Sequence, residues 1–194
     1  MNGESMTPSP APSSRGTFLR TIGEFLRLAL IAAAIAIPIR YFVAQPFIVR
    51  GASMEPNFYD LDYLVVDELS YYFRMPERGE VVVLHYPLNP SEYFIKRIIG
   101  LPGETVTVDA NGVTIINQEY PKGVRLDEPY LPKGLPEGAN GRFTLGQNEY
   151  VVLGDNRPFS SDSRVWGELD KKYITGRVII RAWPLQEFGI IKKP

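Results

Sequence analysis

The composition of the chain limits which side chains could carry chemistry. Its 194 residues include no cysteine and one histidine, His85. Cysteine nucleophiles, disulfides, thiolate metal sites and multi-histidine metal sites are therefore excluded, and we expect no metal and no other cofactor. A hydrolytic site can still be built from a serine and a lysine, because a neutral amine is a competent base once burial lowers its pKa.

Lys96 meets the requirement for a buried amine. It lies in residues 93–99 (YFIKRII), within which the β-branched and aromatic run 94–99 predicts a strand, and alternate residues of a strand share a face. Lys96 is therefore expected on the same face as Phe94 and Ile98, with Arg97 on the opposite face. The same pattern also fits a lysine whose stem packs on the sheet while its amine reaches solvent.

Ser53 is the corresponding candidate for a nucleophile. In residues 49–56 (VRGASMEP), small residues precede Ser53 and Pro56 follows it, which predicts a tight turn that exposes the hydroxyl. A serine in such a loop also serves ordinary turn hydrogen bonding. The serine alone does not decide between these two interpretations.

The charge and composition narrow the classes of partner and fold. The 21 basic and 22 acidic side chains give a net charge of -1, so no basic surface is expected to bind nucleic acid by counterion release. With 44% hydrophobic and 22% charged residues, the chain has the composition of a globular protein. The 17 glycines and 17 prolines favour many turns, and hence β structure.

An apolar segment precedes the candidate nucleophile. Residues 28–39 (LALIAAAIAIPI) carry no polar side chain. As a helix they cover about 18 Å, whereas residues 26–44 cover about 28 Å, close to the hydrocarbon thickness of roughly 30 Å. The longer segment spans a bilayer if Arg27 and Arg40 reach the head groups. A cleavable signal peptide and a helix buried in a soluble core are the alternative interpretations.

The sequence thus predicts three parts: a disordered cytoplasmic tail (residues 1–20), a transmembrane anchor (residues 21–44) and an extracytoplasmic domain (residues 45–194). The lipid bilayer is then a partner of the chain, which crosses it once. The positive-inside rule orients the chain through the arginines on the N-terminal side of the anchor. These are Arg15, Arg20 and Arg27.

The extracytoplasmic domain is predicted to be mostly β. Short β-branched or aromatic runs are bounded by glycine, proline, asparagine or aspartate at residues 61–66, 80–85, 94–99, 105–108, 113–116, 150–153 and 177–183. Asn111 and Gly112 between two such runs predict a hairpin. Because residues 129–141 are rich in proline and glycine, we expect residues 105–148 to form a small inserted β lobe.

Four motifs occur in order along the chain: GASMEP at residues 51–56, RGEVVV at 78–83, FIKRIIGLPG at 94–103 and GDNR at 154–157, followed by SSDSR at 160–164. Together, behind an N-terminal apolar segment, they resemble type I signal peptidases, membrane-bound Ser/Lys proteases that remove leader peptides from exported proteins. The resemblance implies an antiparallel β catalytic domain and signal-peptide-bearing preproteins as substrates. It also implies a bacterial-type plasma membrane or a thylakoid-type membrane as the location.

The resemblance also implies roles for individual residues. Ser53 would be the nucleophile and Lys96 the general base, with the hydroxyl of Ser160 orienting the lysine amine. The backbone N–H of Ser53 would donate to the oxyanion. Gly51 stands where some members carry a serine that supplies a second donor.

Structural ion pairs and a substrate pocket are implied in the same way. The ion pairs would be Arg97 with Asp155, and Asp162 with Arg164. The pocket for small side chains at the -1 and -3 positions of the leader would be lined by Phe47, Val49 and Ile95.

Two other functions fit the same pattern. One is a specialised Ser/Lys processing protease of the same fold, of the pilin or conjugation type. The other is a catalytically silent, membrane-tethered module that binds exported peptides, for which Ser53 and Lys96 would not be needed. A self-cleaving repressor would need a DNA-binding module, and no segment of the sequence is typical of one.

Overall fold

A computed structural model describes residues 14–38 and 45–194, apart from residue 137. Helix α1 spans Ser14–Pro38 and forms one compact unit, and the strands lie in a second unit. No helix within the described ranges combines the length and the apolar character needed to cross a membrane.

Helix α1 begins inside the predicted tail. Residues 14–20, expected to be disordered, are helical. The helix extends this far because no proline falls between Ser14 and Pro38, and because Arg20 Nε donates to Glu24 Oε1 one turn later, at 3.2 Å. The rest of the predicted tail (residues 1–13) and the end of the predicted anchor (residues 39–44) lie outside the described residues.

The second unit consists mainly of strands. These are β1 (Gln45–Ile48), β2 (Tyr63–Asp67), β3 (Val81–Tyr86), β4 (Asn89–Gly100), β5 (Thr105–Asp109), β6 (Gly112–Ile116), β7 (Val124–Arg125), β8 (Gly141–Thr144), β9 (Glu149–Leu153), β10 (Leu169–Asp170), β11 (Ile174–Trp183) and β12 (Gly189–Ile190). Short helices α2 (Ser70–Phe73) and α3 (Ser163–Trp166) and single 3-10 turns, including Arg157–Phe159, connect them.

The described strands form two antiparallel sheets. The larger has the order β1-β2-β11-β3-β4-β9-β10, with β12 paired to β11, and the smaller has the order β7-β6-β5-β8. The predicted hairpin is confirmed, since β5 and β6 pair with Asp109 opposite Gly112. The mostly β, antiparallel architecture expected from the sequence is therefore correct.

Hydrophobic clusters cover both faces of the larger sheet. Because successive residues point to opposite faces, Val81 and Val83 of β3 pack in one cluster, and Val82 and Leu84 pack in another. Lys96 of β4 lies opposite Val82 in the strand register. The sheet therefore places this lysine among buried apolar side chains.

Strand β4 is paired unequally on its two edges. It pairs with β3 from Asn89 to Arg97, but with β9 only from Arg97 onward. Among the described strands, none covers the second edge of β4 before Arg97. That open edge borders the candidate site.

Candidate active site

The structure brings Ser53 and Lys96 together from positions 43 residues apart. The Lys96 amine nitrogen (Nζ) donates to the Ser53 hydroxyl oxygen (Oγ) at 2.8 Å. The same amine donates to the carbonyl oxygen of Ile95 at 2.8 Å. The lysine side chain reaches the serine from within the sheet, because Lys96 is only 3% exposed.

The loop between β1 and β2 presents Ser53 through a glycine turn. Gly51 has a φ of 82°, in the left-handed region that residues with a Cβ rarely adopt. Its N–H donates to the Asp60 side chain at 2.8 Å, which closes the turn. A Cβ at Gly51 would meet no atom within 4 Å, so the backbone conformation, and not space, favours glycine here.

Burial changes the acid–base character of Lys96. Removal of water from around the ammonium group lowers the pKa of Lys96 from 10.5 to about 8, while the charges of Asp162 and Asp155 act in the opposite direction. The ring centroid of Phe94 lies 5.1 Å from the amine. The neutral, proton-accepting amine is therefore substantially populated at mildly alkaline pH.

The two acidic residues near Lys96 are each held by an arginine. Arg97 binds Asp155 bidentately, with Nε–Oδ1 at 2.8 Å and Nη2–Oδ2 at 2.6 Å. Arg164 binds Asp162 in the same manner, at 2.8 Å and 2.6 Å. The Arg164 guanidinium lowers the pKa of Lys96 and so offsets part of the effect of the carboxylates, which favour the ammonium form.

Ser160 and Gly154 lie beside the nucleophile. A Cβ at Gly154 would collide with the Ser160 hydroxyl and with the Ser53 carbonyl oxygen, so both atoms pack directly against Gly154. The Ser160 hydroxyl is buried and has no hydrogen-bond partner among the described residues. The structure thus brings Ser160 to the site without a hydrogen bond to Lys96.

A cleft of about 320 Å³ opens over the Ser53–Lys96 pair. The three residues expected to form the substrate pocket, Phe47, Val49 and Ile95, all line it. Consecutive residues Ile95 and Lys96 both face the cleft, although strand alternation sends their side chains to opposite faces. This is possible because the cleft lies across the edge of β4 that no described strand covers before Arg97, so side chains from both faces of the strand reach it.

Several residues of the site were not predicted from the sequence. Leu64, Val83, Tyr93 and Phe159 also line the cleft. Only their proximity to the motifs could have indicated them, since large hydrophobic residues usually serve the core. Within the described residues, no group of histidine, cysteine or carboxylate side chains could hold a metal ion.

Asn57 and Tyr130 are further residues without a predicted role. The side-chain amide of Asn57 donates to Asp155 Oδ2 at 2.8 Å and to the Tyr130 carbonyl at 2.9 Å. The Tyr130 ring lies under the Arg97 guanidinium, 4.0 Å from ring centroid to Cζ. The proline-rich segment after β7 is thereby fastened to the Arg97–Asp155 pair.

His85 does not contact the Ser53–Lys96 pair through any hydrogen bond in the structure. Its Nδ1 donates to the Pro90 carbonyl at 2.7 Å, and its ring packs on Tyr93 with the centroids 4.4 Å apart. A Ser-His-Asp arrangement is therefore not formed.

Comparisons with known proteins agree with the motifs. The family model described as "Signal peptidase, peptidase S26" matches residues 22–183. A protein named "Signal peptidase I" from Leptolyngbya laminosa is 35% identical over 207 residues, covering 100% of this chain and 98% of the relative. A "Probable signal peptidase I-2" from Synechocystis sp. is 38% identical over 173 residues, covering 87% of this chain and 76% of the relative.

Among solved structures, a signal peptidase I from Enterococcus faecalis is similar, with a TM-score of 0.45 and 30% identity, over 54% of this chain and 97% of that chain. The family assignment depends on the sequence matches, which extend from helix α1 to the end of β11. Together with the order of the motifs, these matches show that the chain belongs to the signal peptidase family, peptidase S26.

Proposed function

We propose that the chain cleaves signal peptides from exported preproteins, with Ser53 as the nucleophile and Lys96 as the general base. The observation that carries the proposal is the 2.8 Å approach of a buried lysine amine to a serine hydroxyl in an open cleft. A buried amine with a pKa of about 8 is a base suited to mildly alkaline conditions.

The geometry supports a two-step acyl transfer. Neutral Lys96 accepts the hydroxyl proton as Ser53 Oγ attacks the scissile carbonyl, and the carbonyl oxygen becomes an oxyanion. The resulting ammonium group gives its proton to the departing amine. Lys96 then activates a water molecule that hydrolyses the acyl-enzyme, which restores the serine hydroxyl.

The cleft supports small side chains at the -1 and -3 positions of the substrate. Phe47, Val49 and Ile95 supply shallow apolar walls, against which alanine fits and large or charged side chains do not. The open edge of β4 offers unpaired backbone groups to an extended peptide, as in β-strand addition. The leader would therefore bind as an extra strand, with its scissile bond at Ser53.

The residues around the dyad have supporting roles in this proposal. The Arg97–Asp155 pair holds the last motif against β4, and the Asp162–Arg164 pair braces that motif internally, with Asp162 also accepting from the Gly154 N–H. Ser160 orients the Lys96 amine during the reaction. A buried hydroxyl without a partner is unfavourable, so such an interaction in the reacting complex would be readily gained.

We further propose that the N-terminal segment anchors the domain in a membrane. Apolar side chains of helix α1 are exposed, including Phe25 at 72%, Leu28 at 66% and Leu30 at 70%. Exposed apolar residues in this number are unfavourable in water and favourable in lipid. In this proposal residues 1–20 stay in the cytoplasm, residues 21–44 span a bacterial-type or thylakoid-type membrane, and residues 45–194, with an inserted lobe at residues 105–148, lie on the opposite face.

A test of the chemistry uses the purified full chain in detergent with a leader-bearing precursor whose -3 and -1 residues are alanine. We expect cleavage after the -1 residue, and its loss in Ser53→Ala and Lys96→Ala. Retained cleavage in either variant would reject the dyad. Absence of cleavage by the unmodified chain, with the leader still bound, would favour a silent peptide-binding module.

A second substrate separates the proposed function from the specialised alternative. A signal peptidase should cleave several unrelated leaders that share small residues at -3 and -1. Cleavage of a pilin-type precursor alone would favour the specialised processing protease.

The topology is tested with right-side-out membrane vesicles. Protease added from outside should digest the domain after residue 45 and leave the anchor and tail protected. Protection of the catalytic domain would reject the proposed orientation.

A further inference from the structure

Asn156 holds the nucleophile loop at two consecutive peptide groups. Its backbone N–H donates to the Ser53 carbonyl at 3.0 Å, and its side-chain amide donates to the Ala52 carbonyl at 2.9 Å. The two partners lie more than 100 residues away along the chain. Asn156 therefore fixes the orientation of the peptide plane on each side of the Ser53 Cα.

The geometry of a peptide bond extends this control to the Ser53 N–H. The cis peptide bonds of the described residues are Glu55-Pro56 and Trp183-Pro184, so the Ala52–Ser53 bond is trans. In a trans peptide the C=O and the N–H point in opposite directions within one plane. When the Asn156 amide fixes the Ala52 carbonyl, it also directs the Ser53 N–H away from Asn156.

The Ser53 N–H makes no hydrogen bond with any of the described residues, whereas the Ala52 carbonyl accepts two, from Asn156 and from the Glu55 N–H at 3.2 Å. An N–H held in a fixed direction without an acceptor is the arrangement needed to receive an oxyanion. Ala52 and Ser53 line the cleft, while Asn156 is not among its lining residues.

We propose that Asn156 is a positioning residue that aims the Ser53 backbone N–H at the oxyanion formed during cleavage. This inference rests on the proposed function, because it requires Ser53 to be the nucleophile. Asn156 acts through the Ala52–Ser53 peptide and does not touch substrate. The alignment of the Ser53 N–H by Asn156 matters more in this chain because Gly51 has no hydroxyl that could supply a second donor to the oxyanion.

The test compares substrate with a transition-state analogue. A peptide aldehyde that ends in Ala at the -1 position forms a hemiacetal with Ser53, whose oxygen occupies the oxyanion position. Loss of one oxyanion donor lowers the rate by about 100-fold to 1,000-fold in other enzymes, so misalignment of a retained donor should cost about 10-fold to 100-fold in kcat. KM should change little, because the oxyanion exists only in the transition state.

Two variants remove the side-chain donor in different ways. Asn156→Ala deletes it, and Asn156→Asp replaces it with an acceptor of the same shape that repels the Ala52 carbonyl. In both we expect the inhibition constant of the aldehyde to rise in proportion to the loss of kcat/KM. In the uncharged Asn156→Ala, the binding of the matching peptide acid, a cleavage product, should stay unchanged, as should the pH at which the rate rises, because neither Lys96 nor any charge near it is altered.

Asn57→Ala is the matched control. It also removes two side-chain hydrogen bonds next to the nucleophile loop, but none to the Ala52 or Ser53 carbonyls. We expect Asn57→Ala to lower thermal stability while leaving the ratio of aldehyde to product affinity unchanged. If Asn156 had a merely structural role, its variants would behave like Asn57→Ala: thermal stability would fall, and the ratio of aldehyde to product affinity would not change.

The positioning role is overturned if both Asn156 variants retain full kcat, or if in Asn156→Ala aldehyde and product binding weaken equally or the pH dependence shifts. These outcomes differ from a failure of the proposed function. That failure would appear in the unmodified chain as insensitivity to the aldehyde, or in Ser53→Ala as retained cleavage.

Discussion

Lys96 and Arg97 are consecutive buried cations on β4, and only one of them has a carboxylate within ion-pair distance among the described residues. Arg97 Nη2 lies 2.6 Å from Asp155, whereas the hydrogen-bond partners of Lys96 are the Ser53 hydroxyl and the Ile95 carbonyl. Burial without a countercharge penalises the ammonium form. The strand thus keeps one cation charged for structure and makes the other available as a base.

The first prediction concerns the pH dependence of cleavage. Lys96 accepts a proton only when it is neutral, so kcat/KM should rise with pH on a limb centred near the pKa of about 8. Lys96→Arg keeps the positive charge but supplies no free base, so it should inactivate as fully as Lys96→Ala. The measurement is a pH profile with a fluorogenic leader peptide.

His85→Ala is the control for this prediction, and we expect the limb to remain in place. If kcat/KM rose with pH around 6.5, where histidine titrates, the assignment of Lys96 as the base would be contradicted. The same conclusion would follow if the rise of kcat/KM with pH disappeared in His85→Ala, or if Lys96→Arg kept substantial activity.

The second prediction is that burial of the Lys96 side chain lowers the free energy of unfolding at neutral pH. The pKa of Lys96 is about 8 in the folded protein and near 10.5 when unfolded, so the unfolded chain binds more protons between these values. The free energy of unfolding of the unmodified protein should therefore rise as pH increases from 8 to 10.5. Below pH 8 the cost of charging Lys96 is constant, at about 3 kcal/mol.

Lys96→Met removes that cost and should raise the free energy of unfolding by about 2 to 3 kcal/mol at pH 7. The gain should shrink above pH 8 and disappear above 10.5. Denaturant unfolding at several pH values measures it, with the exposed Lys122→Met as control. A Met variant that is less stable than the unmodified protein at pH 7 would show that the buried ammonium is not penalised.

The third prediction concerns the Arg97–Asp155 pair. Arg97→Met leaves Asp155 buried with the Asn57 amide as its one side-chain donor among the described residues, and an unpaired buried charge costs about 3 to 5 kcal/mol. Combining it with Asp155→Leu should recover much of the loss, because the stranded charge is then absent. A double-mutant cycle by denaturant unfolding measures the coupling.

Lys193→Met, which breaks an exposed pair with Glu77, serves as the control and should have little effect. If Arg97→Met were as mild as this control, the buried pair would not have the structural role argued here.

The fourth prediction concerns the size of the pocket. Replacing alanine at -1 of the precursor with leucine should reduce kcat/KM strongly in the unmodified chain. Ile95→Ala enlarges the cleft wall and should raise the ratio of kcat/KM for leucine over alanine by about 10-fold, since a hydrophobic pocket discriminates such changes by 1 to 3 kcal/mol. Paired assays with the two precursors give the ratio.

Ile98→Ala makes the same change on the same strand, but Ile98 is fully buried and does not line the cleft. It should lower stability and leave the ratio unaltered. If the ratio of kcat/KM for leucine over alanine were the same in Ile95→Ala and in the unmodified chain, Ile95 would not belong to the pocket for the -1 side chain.

Strand alternation predicted the surroundings of Lys96 well, because this is a local property. Phe94 lies beside the amine and Ile98 is fully buried on the same face. The beginning of β4 was predicted at residue 94, but the strand starts at Asn89. Pro90 is tolerated there because the open edge of β4 demands no N–H donor from it.

Other features depend on contacts between distant parts of the chain, and no local pattern reports them. The position of Ile95 in the wall of the cleft depends on where β9 stops pairing with β4. Asn156 belongs to the GDNR motif, but the sequence does not indicate its role, because its acceptors lie on a loop about 100 residues earlier. The position of the Ser160 hydroxyl, buried beside Ser53 without a hydrogen-bond partner among the described residues, likewise follows only from the packing of both residues against Gly154.

The open edge of β4 also bears on self-association. Unpaired N–H and C=O groups are a template for any extended chain, including a second copy of the protein, and exposed edges promote aggregation. The edge begins with exposed Pro90 and Glu92, and proline and charge both discourage continuous pairing between copies. The same edge can thus accept a short peptide near Ser53 while resisting growth into an extended intermolecular sheet.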